Sequence, residues 1–125
     1  MSIKFSDIAV KHLINFNYDT SDCITFLNPH YVFSIENSIH YKSLINNNFD
    51  DYKILLNTTI QPEHSLFNYK KLIDRFNVDI MDSIKLTFNP VIKKYLVEDG
   101  VHRVSILKYK KIFNQSIPRK LITIK

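Results

Sequence analysis

Apolar positions in the second half of the chain fall into clear periods. Leu66, Tyr69, Ile73 and Phe76 recur at spacings of three and four, which predicts a helix over residues 65–76 with one face turned inward. Ile84, Leu86 and Phe88 alternate with Lys85 and Thr87, the pattern of a half-buried strand. Residues 77–82 and the pair Asn89-Pro90 read as connections. Tyr95, Leu96 and Val97 form a short apolar run, a second strand. Val101, Val104 and Leu107, with Ile106 beside them, mark a helix that follows at once. Ser116 and Pro118 bracket the end of a loop, and residues 121–124 predict a last strand.

The first half is less regular. Ser6 is placed to cap a helix whose positions Ile8, His12, Leu13 and Phe16 keep helical spacing. Residues 17–22 are turn-rich, and residues 23–27 are strand-like. Asn28-Pro29 suits the start of a helix, with asparagine as cap and proline at the first helical position. Residues 30–39 fit a helix or a strand equally. Three asparagines, Asn46, Asn47 and Asn48, make a break, and residues 52–56 are another short apolar run. The order helix, strand, strand, helix, strand behind a mixed segment predicts an α/β (α+β) domain with a small mixed sheet and flanking helices.

A chain of 125 residues, 45% hydrophobic, has the size of one domain with a real core. No apolar run approaches the ~20 residues of a membrane-spanning helix. The start MSIKFSD lacks the long apolar core of a signal peptide, so the expected location is the cytoplasm and no membrane partner is expected. The single cysteine, Cys23, has no internal partner and reads as a small buried hydrophobe.

Charge changes this picture. Residues 1–90 carry eight Lys/Arg against ten Asp/Glu, a net −2. Residues 91–125 carry nine against two, a net +7. That basic third also holds Gly100, the one glycine of the chain, between an apolar strand and a helical pattern. A glycine there marks a sharp turn or a close approach. The first backbone N–H groups of the helix lack partners within it, and the helix dipole makes them attractive to anions. With His102 and Arg103 on that first turn, the stretch is a cradle suited to phosphate.

The run Asp99-Gly100-Val101-His102-Arg103 resembles the D-G-x-H-R signature of the ParB/sulfiredoxin superfamily. The strand at residues 84–88, the closing Ser116-Ile117-Pro118-Arg119-Lys120-Leu121-Ile122 and the helix after Pro62-Glu63-His64-Ser65 are similar to its flanking elements. The resemblance covers residues 61–125 as a ParB/sulfiredoxin-like core, and residues 1–60 become an N-terminal extension of unassigned type. It implies a nucleotide, ATP or ADP, as ligand. Sulfiredoxins carry a cysteine where this chain has Val101, so their redox repair is excluded. The DNA-reading domain of ParB proteins has no candidate here.

The nearest analogy is the free serine kinases, which transfer phosphate to a small hydroxyl substrate. By that resemblance, Gly100 and Val101 amides with His102 and Arg103 hold phosphate oxygens. Asp99 orients the turn or holds Mg²⁺ through water. Glu63 is the candidate base, and Glu63, Asp99 and His102 make the catalytic set. The alternative is a nucleotide- or nucleic-acid-binding module without chemistry. An acidic residue across the pocket from His102 separates the two.

Plainer readings stand beside these. Asp99 serves equally as a carboxylate near the helix start. Glu98 should point away from Asp99, since strand neighbours alternate. Lys108, Lys110 and Lys111 suit a solvated helix end. The five histidines, at 12, 30, 40, 64 and 102, show no metal-ligand spacing, so no metal site is expected.

Overall fold

The computed structural model describes residues 2–57 and 66–125. Within them lies a mixed α/β domain. The strands are β1 (Ser2–Lys4), β2 (Ile8–His12), β3 (Thr25–Leu27), β4 (His30–Ser34), β5 (Ile84–Asn89), β6 (Lys94–Asp99), β7 (Ser116–Pro118) and β8 (Ile122–Ile124). The helices are α1 (Ile39–Asn46), α2 (Asp50–Leu56), α3 (Leu66–Asp74) and α4 (Val101–Tyr109). The main sheet runs β3-β4-β2-β6-β5-β8, and β1 pairs with β7 in a separate ribbon. In the main sheet β2/β6 and β5/β8 are parallel and the other pairs antiparallel.

The predicted order of the second half is present as α3, β5, β6, α4 and β8. The first half departs from expectation in several places. Residues 8–12 form no helix but the strand β2, whose Ile8, Ala9 and Val10 are all buried. A strand with neighbours on both edges and cover on both faces shows a continuous apolar run, and its alternation disappears. Asn28-Pro29, a cis peptide bond, opens no helix; it is the turn of the β3–β4 hairpin. The ambiguous residues 30–39 divide into β4, a short 3-10 turn (Ile35–Asn37) and the start of α1. The short apolar run at residues 52–56 belongs to helix α2. Ser116–Pro118, read as a loop end, pairs with Ser2–Lys4. Cys23 is half-buried rather than buried.

Three apolar clusters make a layered core, with Ala9, Val32 and Leu96 forming the smallest. Ile8, Val10, Ile84, Leu86 and Val97 on the sheet pack against Val104 and Leu107 of α4. The opposite side of α4 presents Ile106 to Ile39 and Leu44 of α1, Tyr52 and Leu55 of α2 and Tyr69 of α3. Helix α4 is therefore sandwiched, with Val104, Ser105, Ile106 and Leu107 all buried. Its Ser105 hydroxyl donates to the Val101 carbonyl at 2.8 Å, so this buried polar group is satisfied. Truncating Ile106 or Leu107 to alanine in such a place costs about 2–5 kcal/mol. The sandwich holds the N-terminus of α4 at the end of β6, where the candidate site lies.

Candidate functional site

Strand β6 ends at Asp99, and Gly100 turns the chain into α4 at φ 111° and ψ 23°. That left-handed value is open to glycine and strained for other residues. A Cβ here would also lie 3.2 Å from Arg103 Nη2 and 3.3 Å from Ile84 Cγ1. The dihedral angle is what calls for glycine at this turn, and a side chain there would also press on Arg103 and Ile84. Among the described residues no side chain caps α4 at Gly100.

Arg103 is committed to the protein itself. Its Nη1 donates to the Asp82 carbonyl at 2.7 Å and the Ser83 carbonyl at 3.1 Å, and Nη2 lies 3.3 Å from Asp99 Oδ2. The guanidinium ties the lead-in of β5 to the turn, and its side chain is only 16% exposed against 60% for Asp99. Asp99 therefore helps hold the arginine, and its carboxylate also reaches solvent.

His102 meets residues that sequence reasoning did not connect with it. Its Nε2 lies 2.9 Å from the Tyr52 hydroxyl of α2. The rings of His40 (4.6 Å between centroids) and Tyr69 (4.7 Å) stand edge-on to it. Burial pushes the Tyr52 and Tyr69 phenols well above their ordinary values, so both remain protonated. The Tyr69 hydroxyl donates to the His40 carbonyl at 3.0 Å. Behind His40, His12 stacks at 5.5 Å, and its Nε2 accepts the Ile39 N–H at 3.0 Å. Burial, then the nearby His30, lower the His12 pKa to about 4, so the ring is neutral and can serve as that acceptor.

His12, His40, Tyr69 and His102 border a cleft of about 1060 Å³. Asp99, Gly100, Val101, His102 and Arg103 all line it, so the predicted motif residues share one opening. Glu98 lines it too, ion-paired with Lys11 at 3.4 Å. The predicted base Glu63 and its neighbour His64 lie outside the described residues. His12, His40, Tyr52 and Tyr69 are the partners that the motif did not name. Tyr69 was visible as part of an inward helix face, whereas nothing in the spacing of the others links them to His102. Among the described residues no three His, Cys, Asp or Glu side chains are placed to hold a metal ion.

The motif lysines divide. Lys108 Nζ lies over the rings of Phe5 (5.5 Å) and Tyr41 (5.3 Å), so it packs on aromatics while Lys110 and Lys111 are exposed. No protein-family profile, curated protein or solved structure matches this chain.

Proposed function

We propose that the protein binds the phosphate groups of a nucleotide, ATP or ADP, at the first turn of α4, as a ParB/sulfiredoxin-like domain. The observation that carries this reading is the junction of β6, Gly100 and α4, which opens into a cleft of about 1060 Å³. At a helix start that no described side chain caps, the Gly100 and Val101 amides and the helix dipole offer donors and positive potential to an anion. The cleft has ample volume for a nucleotide. His102 adds a ring edge to it. Arg103 contributes chiefly by holding the turn, because its fork is occupied by two carbonyls and Asp99. Mg²⁺ would arrive with the phosphates, and the exposed Asp99 carboxylate is the group beside the turn suited to meet it through water.

Within this proposal, phosphoryl transfer to a small hydroxyl substrate is the activity that the free serine kinase resemblance adds. It requires a proton acceptor, and Glu63 remains the candidate. The test is thermal unfolding with ADP, ATP and CTP, each with Mg²⁺. A nucleotide at 100 times its dissociation constant stabilises by about 2.7 kcal/mol. Absence of any shift at millimolar nucleotide overturns the proposal. Binding without phosphate transfer to any hydroxyl compound, followed by phosphorus NMR, reduces it to a non-catalytic module.

A further inference from the structure

The cleft lies where β2 and β6 end, and the opposite end of the domain, where both strands begin, has a different charge. Strands β2 and β6 are parallel, and α4 leaves β6 through Gly100 and folds back over the sheet. The C-terminus of α4 therefore lies beside the starts of both strands. Two contacts fix this placement. Lys108 Nζ sits 5.5 Å from the ring centre of Phe5, just ahead of β2, and Lys94 Nζ at the start of β6 donates to the Ser6 carbonyl at 2.6 Å. With β6 six residues long, this end stands roughly 20 Å from the turn at Gly100.

Six lysines gather there. Lys4 precedes the turn into β2, Lys93 and Lys94 lead into β6, and Lys108, Lys110 and Lys111 close α4. The neighbouring 3-10 turns, Phe5–Asp7 and Ile35–Asn37, supply two carboxylates, Asp7 and Glu36. Six against two leaves a net +4, most of the +5 of the whole chain. Among the described residues none of the six is ion-paired; the paired cations are Lys11, Lys42 and Arg103. The helix dipole accounts for cations in the last turn of α4, but not for Lys4, Lys93 and Lys94, which lie off that helix. Like charges crowded at one end repel, and a polyanion relieves that repulsion.

The same end carries aromatic surface. Tyr109, between Lys108 and Lys110, is 40% exposed. Phe88, paired with Tyr95 beside the start of β6, is 44% exposed. Lysines suit a run of phosphates, and open rings suit base faces that are not already stacked in a duplex. Val91 and Ile112 are also exposed here, which makes an anionic bilayer the competing partner. A bilayer is gripped by a continuous apolar face, whereas here lysines separate the apolar side chains.

We propose that this end of the domain binds single-stranded nucleic acid, its lysines meeting successive phosphates and Tyr109 and Phe88 stacking on bases. The surface is separate from the cleft and needs no nucleotide there.

The test is fluorescence anisotropy of the full chain with labelled oligothymidylate and oligouridylate, each of about twenty nucleotides. Log affinity should fall linearly with log salt, with a slope of about −3 for four phosphate contacts. Lys110→Glu with Lys111→Glu should weaken binding at least about tenfold and flatten that slope. Lys53→Glu with Lys71→Glu, at exposed positions of α2 and α3, changes net charge equally and should stay within about threefold of the wild type. Equal losses in the two variants would mean that net charge alone acts, and overturn the proposal. Tyr109→Ala should cost roughly fivefold or more with the slope unchanged, and no loss removes the stacking role. Tighter binding of either oligonucleotide supports the proposal and assigns its sugar. A wild type that binds neither at about 50 mM salt overturns it. So does one that holds a duplex of equal length as tightly, or that binds phosphatidylserine vesicles and neither oligonucleotide.

Discussion

At the scale of single residues, Arg103 shows how one side chain can look like a ligand group and act as a clamp. Its motif position suggested phosphate contact, and on that basis Arg103→Ala should leave the fold largely intact. The guanidinium instead spends its fork on the Asp82 and Ser83 carbonyls and on Asp99. Arg103→Ala is therefore expected to lose about 1.5–3 kcal/mol of stability, the range for hydrogen bonds from a charged group. Urea unfolding at neutral pH measures this. Arg103→Lys should recover little, since a point charge cannot span three acceptors. A variant as stable as the wild type would return Arg103 to the pool of free phosphate ligands.

Between residue and fold stands the helix start. The N-terminus of α1 is held by two side chains. Ser38 Oγ accepts the Tyr41 N–H at 3.1 Å, and His12, reaching over from β2, accepts the Ile39 N–H at 3.0 Å. The second cap exists only while His12 is neutral. In the folded state its pKa is lowered to about 4 from an ordinary value of 6.5. Between those two values the unfolded chain binds a proton that the folded chain does not, so folding loses ground as pH falls. The stabilisation is complete above pH 6.5, declines toward pH 4 and then levels off. At about 1.4 kcal/mol per unit, the whole window amounts to roughly 3 kcal/mol. Urea stability of the wild type and of His12→Gln, followed from pH 7 to pH 4, isolates this slope. Parallel curves for the two proteins would remove His12 as its source.

Across the whole molecule, the first half of the chain is woven into the sheet that carries the motif. Strand β2 lies between β4 and β6, pairing Ile8 with Tyr95 and Ala9 with Leu96. Helices α1 and α2 supply four buried side chains around Ile106, namely Ile39, Leu44, Tyr52 and Leu55. A fragment of residues 61–125 keeps the whole motif and loses both the strand beside β6 and the cover that α1 and α2 give to α4. It is expected to be unfolded, because exposed Ile106, Leu96 and Val97 would forfeit the burial that offsets chain entropy. Amide dispersion in a proton–nitrogen spectrum reads this directly. A well-dispersed fragment would show that the motif half is self-sufficient.

Much of the second half was legible from local pattern. The alternation at residues 84–88, the helical spacing from Leu66 to Phe76 and the lone glycine between strand and helix each report a physical preference spanning only a few residues. Period two, period 3.6 and a positive φ are all local properties, and α3, β5, β6 and α4 sit where those preferences put them. Strand β2 escaped because central burial erased its alternation. The neighbours of His102 escaped for a different reason. Tyr52 and His40 reach His102 through the packing of α1 and α2 on α4, with His12 of β2 stacked behind His40, and contacts made over sequence separations of tens of residues leave no periodic trace. The chain by itself determined the turn and the charge around it. Tertiary packing decided which side chains surround that turn, tying Arg103 to carbonyls and placing His102 against a buried tyrosine.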